Sequence, residues 1–181
     1  MVPRRRLWFS YSGLRSQRSF KLRIENICVG GFVLPVEVPE KDTIGQVMSS
    51  PVTTMDSNGT LDLAAKLMVQ HDIGSVIVVD GKNPAGIVTE RDVTKQAIKA
   101  SNVLKMPIKQ VMSKPLVTTT PSMSVQDALE LMLTNKVRRL PVLEGKEMRG
   151  IVTTQDIMRW VLRVSYEPNI PKHVKAILEI H

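Results

Sequence analysis

The sequence predicts a mixed α/β (α+β) protein built from two copies of a β-α-β-β-α unit. Three observations predict it. The stretch Gly86-Ile87-Val88-Thr89-Glu90-Arg91-Asp92-Val93 returns as Gly150-Ile151-Val152-Thr153-Thr154-Gln155-Asp156-Ile157. Other matches share the offset that separates Met48 from Met112, 64 residues. Gln46-Val47-Met48-Ser49 matches Gln110-Val111-Met112-Ser113, Pro51 matches Pro115, Leu67-Met68 matches Leu131-Met132, and Gly81-Lys82 matches Gly145-Lys146. Within each copy, short continuous apolar runs sit beside stretches of helical spacing. Self-similarity at fixed spacing sets architecture, and two copies suggest paired small domains packed face to face, not an open array.

The elements follow in order. In the first copy, residues 43–48 open the ordered part. The first strand is short, residues 52–54, or 116–118 in the second copy. A helix follows, because Leu61, Ala64, Ala65 and Met68 fall at i, i+3, i+4 and i+7, and Val125, Ala128, Leu129 and Met132 repeat that face. Ser124 suits the N-cap with Asp127 three residues on, and Thr60 is its counterpart. Residues 75–79 and 140–143 are apolar strands closed by Asp80-Gly81 and Glu144-Gly145, tight connections to strands at 85–88 and 149–152. Little alternation in these runs implies sheets covered on both faces. A second helix follows in each copy, from residue 90 to about 100 and from 154 to about 164. A proline-bounded loop at 165–171 then leads to a short helix from 172 to about 180. Its apolar face (Val174, Ile177, Leu178) would pack on the body or on a second subunit.

The chain has 181 residues, enough for one compact domain or two small ones sharing a core. A hydrophobic content of 43% is that of a globular protein. No run of about 18 apolar residues occurs, so no membrane partner or spanning helix is expected. Cys28 is the single cysteine and cannot form an internal disulfide, which fits a reducing, cytoplasmic setting. The net charge of +8 invites a nucleic-acid reading. Its location argues against one. Arg4, Arg5, Arg6, Arg15, Arg18, Lys21 and Arg23 face Glu25 alone within residues 1–30, a net +6, which leaves +2 for everything after them. The basicity belongs to a tail.

That tail shows no clean period. Three readings compete: a basic arm that touches nucleic acid or anionic lipid, a mitochondrial-type presequence rich in Arg and Ser, and a start codon placed too far upstream. In the third, Gly30-Gly31 would overlie a ribosome-binding sequence, and Val33 or Leu34 would occupy the true start. The expected organisation is therefore residues 1–42 as basic tail and extended lead-in, 43–104 and 105–165 as the two units, and 166–181 as terminal loop and helix.

The chemistry-bearing residues stand where strand meets helix. Thr89 and Asp92, with Thr153 and Asp156, sit at helix starts. A carboxylate there can accept bonds from the two hydroxyls of a ribose. A Thr hydroxyl and exposed amides can meet a phosphate. The competing reading is a capping box, with Asp92 returning a bond to Thr89. Arg138 and Arg139 precede Leu140-Pro141 and suit phosphate, or else simply cap a solvated helix end. The first copy has Gly74 and Ser75 at those places, so Arg91 would have to supply its charge, and the two clefts should bind unequally. Ile73, Gly74, Val76, Val137 and Pro141 either form an apolar slot or are plain core. His71, His173 and His181 have no metal-ligand spacing. His71 is better read as a helix C-cap. No Gly-x-x-x-x-Gly-Lys loop and no catalytic constellation occurs, so no enzyme is expected. The ten methionines read as packing filler.

These motifs together resemble a tandem of CBS domains (named after cystathionine β-synthase), a Bateman module. The resemblance rests on the Val-Met-Ser opening with proline soon after, the Ala-x-x-Leu-Met helix, the Gly-Ile-Val-Thr-x-x-Asp ending and Arg138-Arg139-Leu140-Pro141-Val142. It covers roughly residues 43–164, both repeats whole. It implies two βαββα units about a pseudo-twofold axis. It also implies a stand-alone regulatory module without catalysis, which binds AMP, ADP, ATP or S-adenosylmethionine in clefts between the units and signals occupancy to a partner protein. In that scheme Asp92 and Asp156 take the ribose, Thr89, Thr153, Arg138 and Arg139 the phosphates, and the apolar slot the adenine. Such modules often form a disc-shaped homodimer. The rival expectation is a CBS-pair dimerisation scaffold whose basic arm binds nucleic acid or a partner protein.

Overall fold

Glycine sets the two hairpins. Gly81 and Gly145 adopt φ of +60° and +61°, the left-handed region that favours glycine. Each begins a two-residue turn that folds an apolar strand back on itself. In the computed structural model, which describes residues 27–29, 32–34, 42–99 and 103–166, these strands are β4 (Ser75–Asp80) with β5 (Asn83–Thr89), and β6 (Arg139–Glu144) with β7 (Glu147–Thr153). Both pairs are antiparallel and share one register: Ser75 faces Thr89 and Val78 faces Gly86, as Arg139 faces Thr153 and Val142 faces Gly150. Both slip by a residue at the same place, after Val78 and after Val142.

The helices are α1 (Leu61–Gln70), α2 (Glu90–Ala97), α3 (Val125–Asn135) and α4 (Thr154–Tyr166). Ser124 caps α3 as expected, its hydroxyl accepting from Asp127 N at 3.0 Å. Thr60 makes no side-chain cap bond on α1, a correction to the expected symmetry. Its backbone bridges to Pro107 instead. Both first helices end on a left-handed residue, Asp72 and Lys136. Ile73 N and Val137 N then donate to Met68 O and Met132 O, satisfying carbonyls the helix leaves open. His71 is the C-cap of α1, its N–H donating to Leu67 O.

The first strands are displaced from where they were expected. In the first unit the strand is β3 (Thr54–Asp56), parallel to β4, with Met55 buried between exposed neighbours. Its pairing starts at Thr54 because Thr54 faces Ile77, and it stops where Asp56 turns the chain by accepting from Asn58 N. The second unit has a lone bridge, Thr119 to Val142, and no strand at 116–118. One apolar residue between polar ones leaves no period to read. Ahead of these units, β1 (Ile27–Val29) pairs antiparallel with β2 (Phe32–Leu34), a hairpin within what was read as tail. The terminal helix expected from 172 to about 180 lies outside the described residues.

The packing units are not the sequence repeats. The first core gathers Met55, Leu61, Ala64, Met68, Val76, Val78 and Val88 with Ile108 and Val111 from the second repeat. The second gathers Val125, Ala128, Met132, Leu140, Val142, Val152, Ile157 and Val161 with Ile44 from the first. Backbone bonds tie each crossing segment in place: Ile151 N to Ser49 O at 3.0 Å, and Ser113 N to Ile87 O at 2.8 Å. Each Val-Met-Ser opening thus completes the other unit. A boundary between residues 104 and 105 divides the sequence but not the packing.

Candidate functional site

Strand and helix meet identically in the two units, and the meeting point is built from the backbone up. Glu90 N, the first amide of α2, donates to Gly74 O at 3.3 Å, and Thr154 N donates to Arg138 O at 3.1 Å. The residue before each helix therefore lies against the start of β4 or β6. Asp92 then accepts from Thr89 N at 3.0 Å and from Thr89 Oγ1 at 2.7 Å, all on Oδ2. Asp156 accepts from Thr153 N at 2.8 Å and Thr153 Oγ1 at 2.6 Å, again on Oδ2, and Asp156 N donates back to Thr153 Oγ1. Both pairs are half-buried capping boxes. The cap uses one oxygen of each carboxylate. Asp92 Oδ1 has no bond among the described residues, and Asp156 Oδ1 has Arg159 Nη1 at 3.7 Å. Cap and acceptor for an outside hydroxyl are thus compatible in one side chain.

Arg139 lies between the two caps. It begins β6 in the second unit, yet its guanidinium reaches the first unit. A Cβ on Gly74 would stand 2.5 Å from Arg139 Nη2 and 3.2 Å from Glu90 Oε2. The missing side chain at Gly74 is therefore the space the arginine occupies. The sequence reading left the first cleft without arginine and turned to Arg91; the structure brings Arg139 across instead, while Arg91 stays exposed on the first turn of α2. Burial, and then the neighbouring Arg138 charge, push the Arg139 guanidinium below its ordinary pKa. The carboxylates of Glu90, Asp156 and Asp92 act in the opposite direction. Among the described residues Arg139 forms no ion pair or hydrogen bond with any of the three. Arg138 is exposed beside it.

The remaining expected residues divide. Val76 is fully buried in the first core with Val88, because strand alternation turns residues 76 and 78 toward the helices. Its full burial agrees with the plain-core alternative. Ile73 and Val137 are half-buried and lean on the two cores. Pro141 is buried on the opposite face of β6 from Leu140 and Val142, like its counterpart Ile77. Glu90 was read only as the start of a helix; the structure brings its carboxylate beside Gly74, where the Arg139 guanidinium also lies. Among the described residues no group of His, Cys, Asp and Glu could hold a metal ion, and no helix is long and apolar enough to cross a membrane.

Comparison with known proteins bears on the same residues. The family model described as CBS domain matches residues 44–99 and again 108–163. The CBS domain-containing protein YhcV of Bacillus subtilis is 34% identical over 115 residues, covering 64% of this chain and 82% of its own length. The CBS domain pair of protein MJ0100, solved in complex with 5′-methylthioadenosine and S-adenosyl-L-methionine, is 26% identical. It covers 70% of this chain and 96% of its own at a TM-score of 0.61. A hexameric CBS-CP12 protein from bloom-forming cyanobacteria is 32% identical, covering 66% and 68% at a TM-score of 0.61.

Proposed function

The chain belongs to the CBS-domain family, and from that premise we propose that it is a non-enzymatic regulatory module. It binds an adenosine-containing ligand, AMP, ADP, ATP or S-adenosylmethionine, between its two units. The observation that carries this reading is the placement of Arg139 between two half-buried Thr-x-x-Asp caps. Asp92 and Asp156 take ribose hydroxyls with the oxygen the cap leaves open. Arg139, with exposed Arg138, supplies positive charge to an anionic group beside the helix starts, where Thr89 and Thr153 keep their hydroxyl protons on Asp92 and Asp156. Arg91 adds charge from the rim. Ile73, Gly74, Val137 and Pro141 border the base. That MJ0100 takes two adenosine compounds supports the ligand class.

Signalling follows from population shift. A ligand that bridges the units moves an equilibrium only by its differential affinity for the two states, and a partner protein reads the result. The module works as a cytoplasmic homodimer in this proposal; the CBS-CP12 hexamer supports assembly of such pairs.

Calorimetric titration of the full chain with the four ligands tests the proposal. Micromolar binding of one is expected. Asp92→Ala and Asp156→Ala should each weaken it by roughly 1–3 kcal/mol through lost charge-assisted bonds. Each should also lower ligand-free stability by about 1 kcal/mol through the lost cap. Lower stability with unchanged affinity in both variants would leave only the cap, and no heat with any ligand would favour a dimerisation scaffold.

A further inference from the structure

The link between the two repeats is basic. Residues 93–126 carry Lys95, Lys99, Lys105, Lys109 and Lys114, and no acidic residue, arginine or aromatic. All five lysines are exposed, and among the described residues none forms a salt bridge. Exposed apolar residues lie beside them. Ile98 is the C-cap of α2 and 82% exposed; Leu104, 47% exposed, sits in the short turn Val103–Lys105. That turn packs on both α1 and α2. The chain then reaches the start of α1. Met106 O accepts from Leu61 N at 3.0 Å, Ile108 N donates to Gly59 O at 2.9 Å, and Lys109 Nζ donates to Asn58 Oδ1 at 3.1 Å. Leu63, 43% exposed, is at the same place, its Cδ2 3.5 Å from where a Cβ on Gly59 would stand. Where α2 ends and α1 begins, one corner of the first unit therefore carries uncovered aliphatic groups among exposed lysines. The second unit is built otherwise. Leu162, the repeat equivalent of Ile98, is fully buried, and Asp127 stands at the place of Leu63.

The chemistry of this corner narrows what covers it. The segments that meet there, residues 54–70 and 93–114, hold six lysines against Asp56 and Asp62, and Asp62 is already held by Lys66 at 2.7 Å. The charge complement is anionic. A second copy is disfavoured, because a twofold contact would set a basic patch against itself. Protein interfaces draw their anchors from Tyr, Trp and Arg and are poor in Lys. Single-stranded nucleic acid stacks on aromatic rings, which the link lacks. Lysine beside aliphatic side chains suits an anionic lipid surface, where the ammonium groups meet headgroups and the aliphatic groups enter the acyl boundary. We propose that the corner formed by Leu63, Ile98, Lys99, Leu104 and Lys105 docks the protein on an anionic membrane surface. The expectation of no membrane partner rested on the lack of a spanning run, and surface attachment needs none.

Co-sedimentation of the full chain with vesicles tests the proposal. Vesicles of phosphatidylcholine and phosphatidylglycerol in equal parts should bind about tenfold or more strongly than vesicles of phosphatidylcholine alone, and added salt should weaken the binding. The basic tail adds to that attraction, so the corner is read from its variants. Ile98→Gln with Leu104→Gln, which leaves net charge unchanged, should lower partitioning about tenfold through lost aliphatic burial. Lys99→Gln with Lys105→Gln should lower it about tenfold or more through lost surface attraction. All four positions are exposed, so both pairs should keep the parent's urea midpoint. Partitioning unchanged in both pairs would assign membrane binding to the tail and overturn the proposal. A fall in self-association without a fall in partitioning would overturn it in favour of an interface between copies. Capture of polyglutamate by the parent, lost in both pairs while no vesicle binds, would overturn it in favour of an acidic protein.

Discussion

Arg139 shows how a single residue can carry a cost that folding does not need. Its pKa is lowered even with three carboxylates acting to raise it, so the folded state disfavours the charge more than the unfolded chain does. The sign follows: with a depressed pKa on a base, the charged form opposes folding, and that penalty holds at every pH where the guanidinium is protonated. Arg139→Gln should therefore leave ligand-free stability within about 0.5 kcal/mol of the parent, or raise it, in urea titration. Truncating a paired buried ion would instead cost roughly 3–5 kcal/mol. A loss on that scale would make Arg139 a structural strut between units. The sequence showed Arg138-Arg139 and Gly74 as an asymmetry between copies, but as a deficiency of the first. That the glycine makes room for the other copy's arginine is a relation across the fold, which no local pattern encodes. Thr89, Asp92, Thr153 and Asp156 were legible, by contrast, because a capping box is closed within four residues.

At the scale of elements, Gly86 and Gly150 have different reasons to exist from the turn glycines. Both lie buried in strands. A Cβ on Gly86 would stand 2.6 Å from Met112 Sδ. One on Gly150 would stand 2.7 Å from Met48 Sδ and 2.9 Å from Ser49 O. Each glycine therefore admits the methionine of the other repeat's Val-Met-Ser segment. Methionine can move aside, whereas a backbone carbonyl held by the Ser49–Ile151 bridge cannot. Gly150→Ala should cost about 1–3 kcal/mol by overpacking. Gly86→Ala should cost less, in the same denaturant assay. Equal costs would mean that the crossing strand yields as readily as a side chain. Both halves of this contact were visible as repeated motifs. Their meeting was not, because the methionines read as filler and Gly86 and Gly150 only as part of a repeated motif. The helices were legible from spacing, and the hairpins from Asp80-Gly81 and Glu144-Gly145; β3 was misplaced because only Met55 in it is buried.

At the scale of the molecule, the exchange of opening segments makes the two repeats one folding unit. Ile44 and Ile108 are fully buried and equivalent by repeat, but each lies in the core of the opposite half. Truncating either to alanine should cost about 2–5 kcal/mol. The location of the damage is the informative part. Native-state hydrogen exchange reads local opening amide by amide. Ile44→Ala should first release Leu140 and Val152, which are more than ninety residues away in sequence. Ile108→Ala should first release Val76 and Val88, which precede it. The reverse pattern would mean that each repeat folds on its own segment. The constant offset correctly gave two similar units and the family resemblance, yet periodicity cannot say which copy of a motif packs on which. That choice is made by the chain connecting them. It has a functional consequence: with each unit completed by a segment from the other, the units cannot separate without opening both cores. A ligand held between Asp92, Arg139 and Asp156, as proposed, would therefore act on a coupled pair. Its occupancy is expected to protect amides in both halves together, in the same exchange experiment repeated with ligand bound.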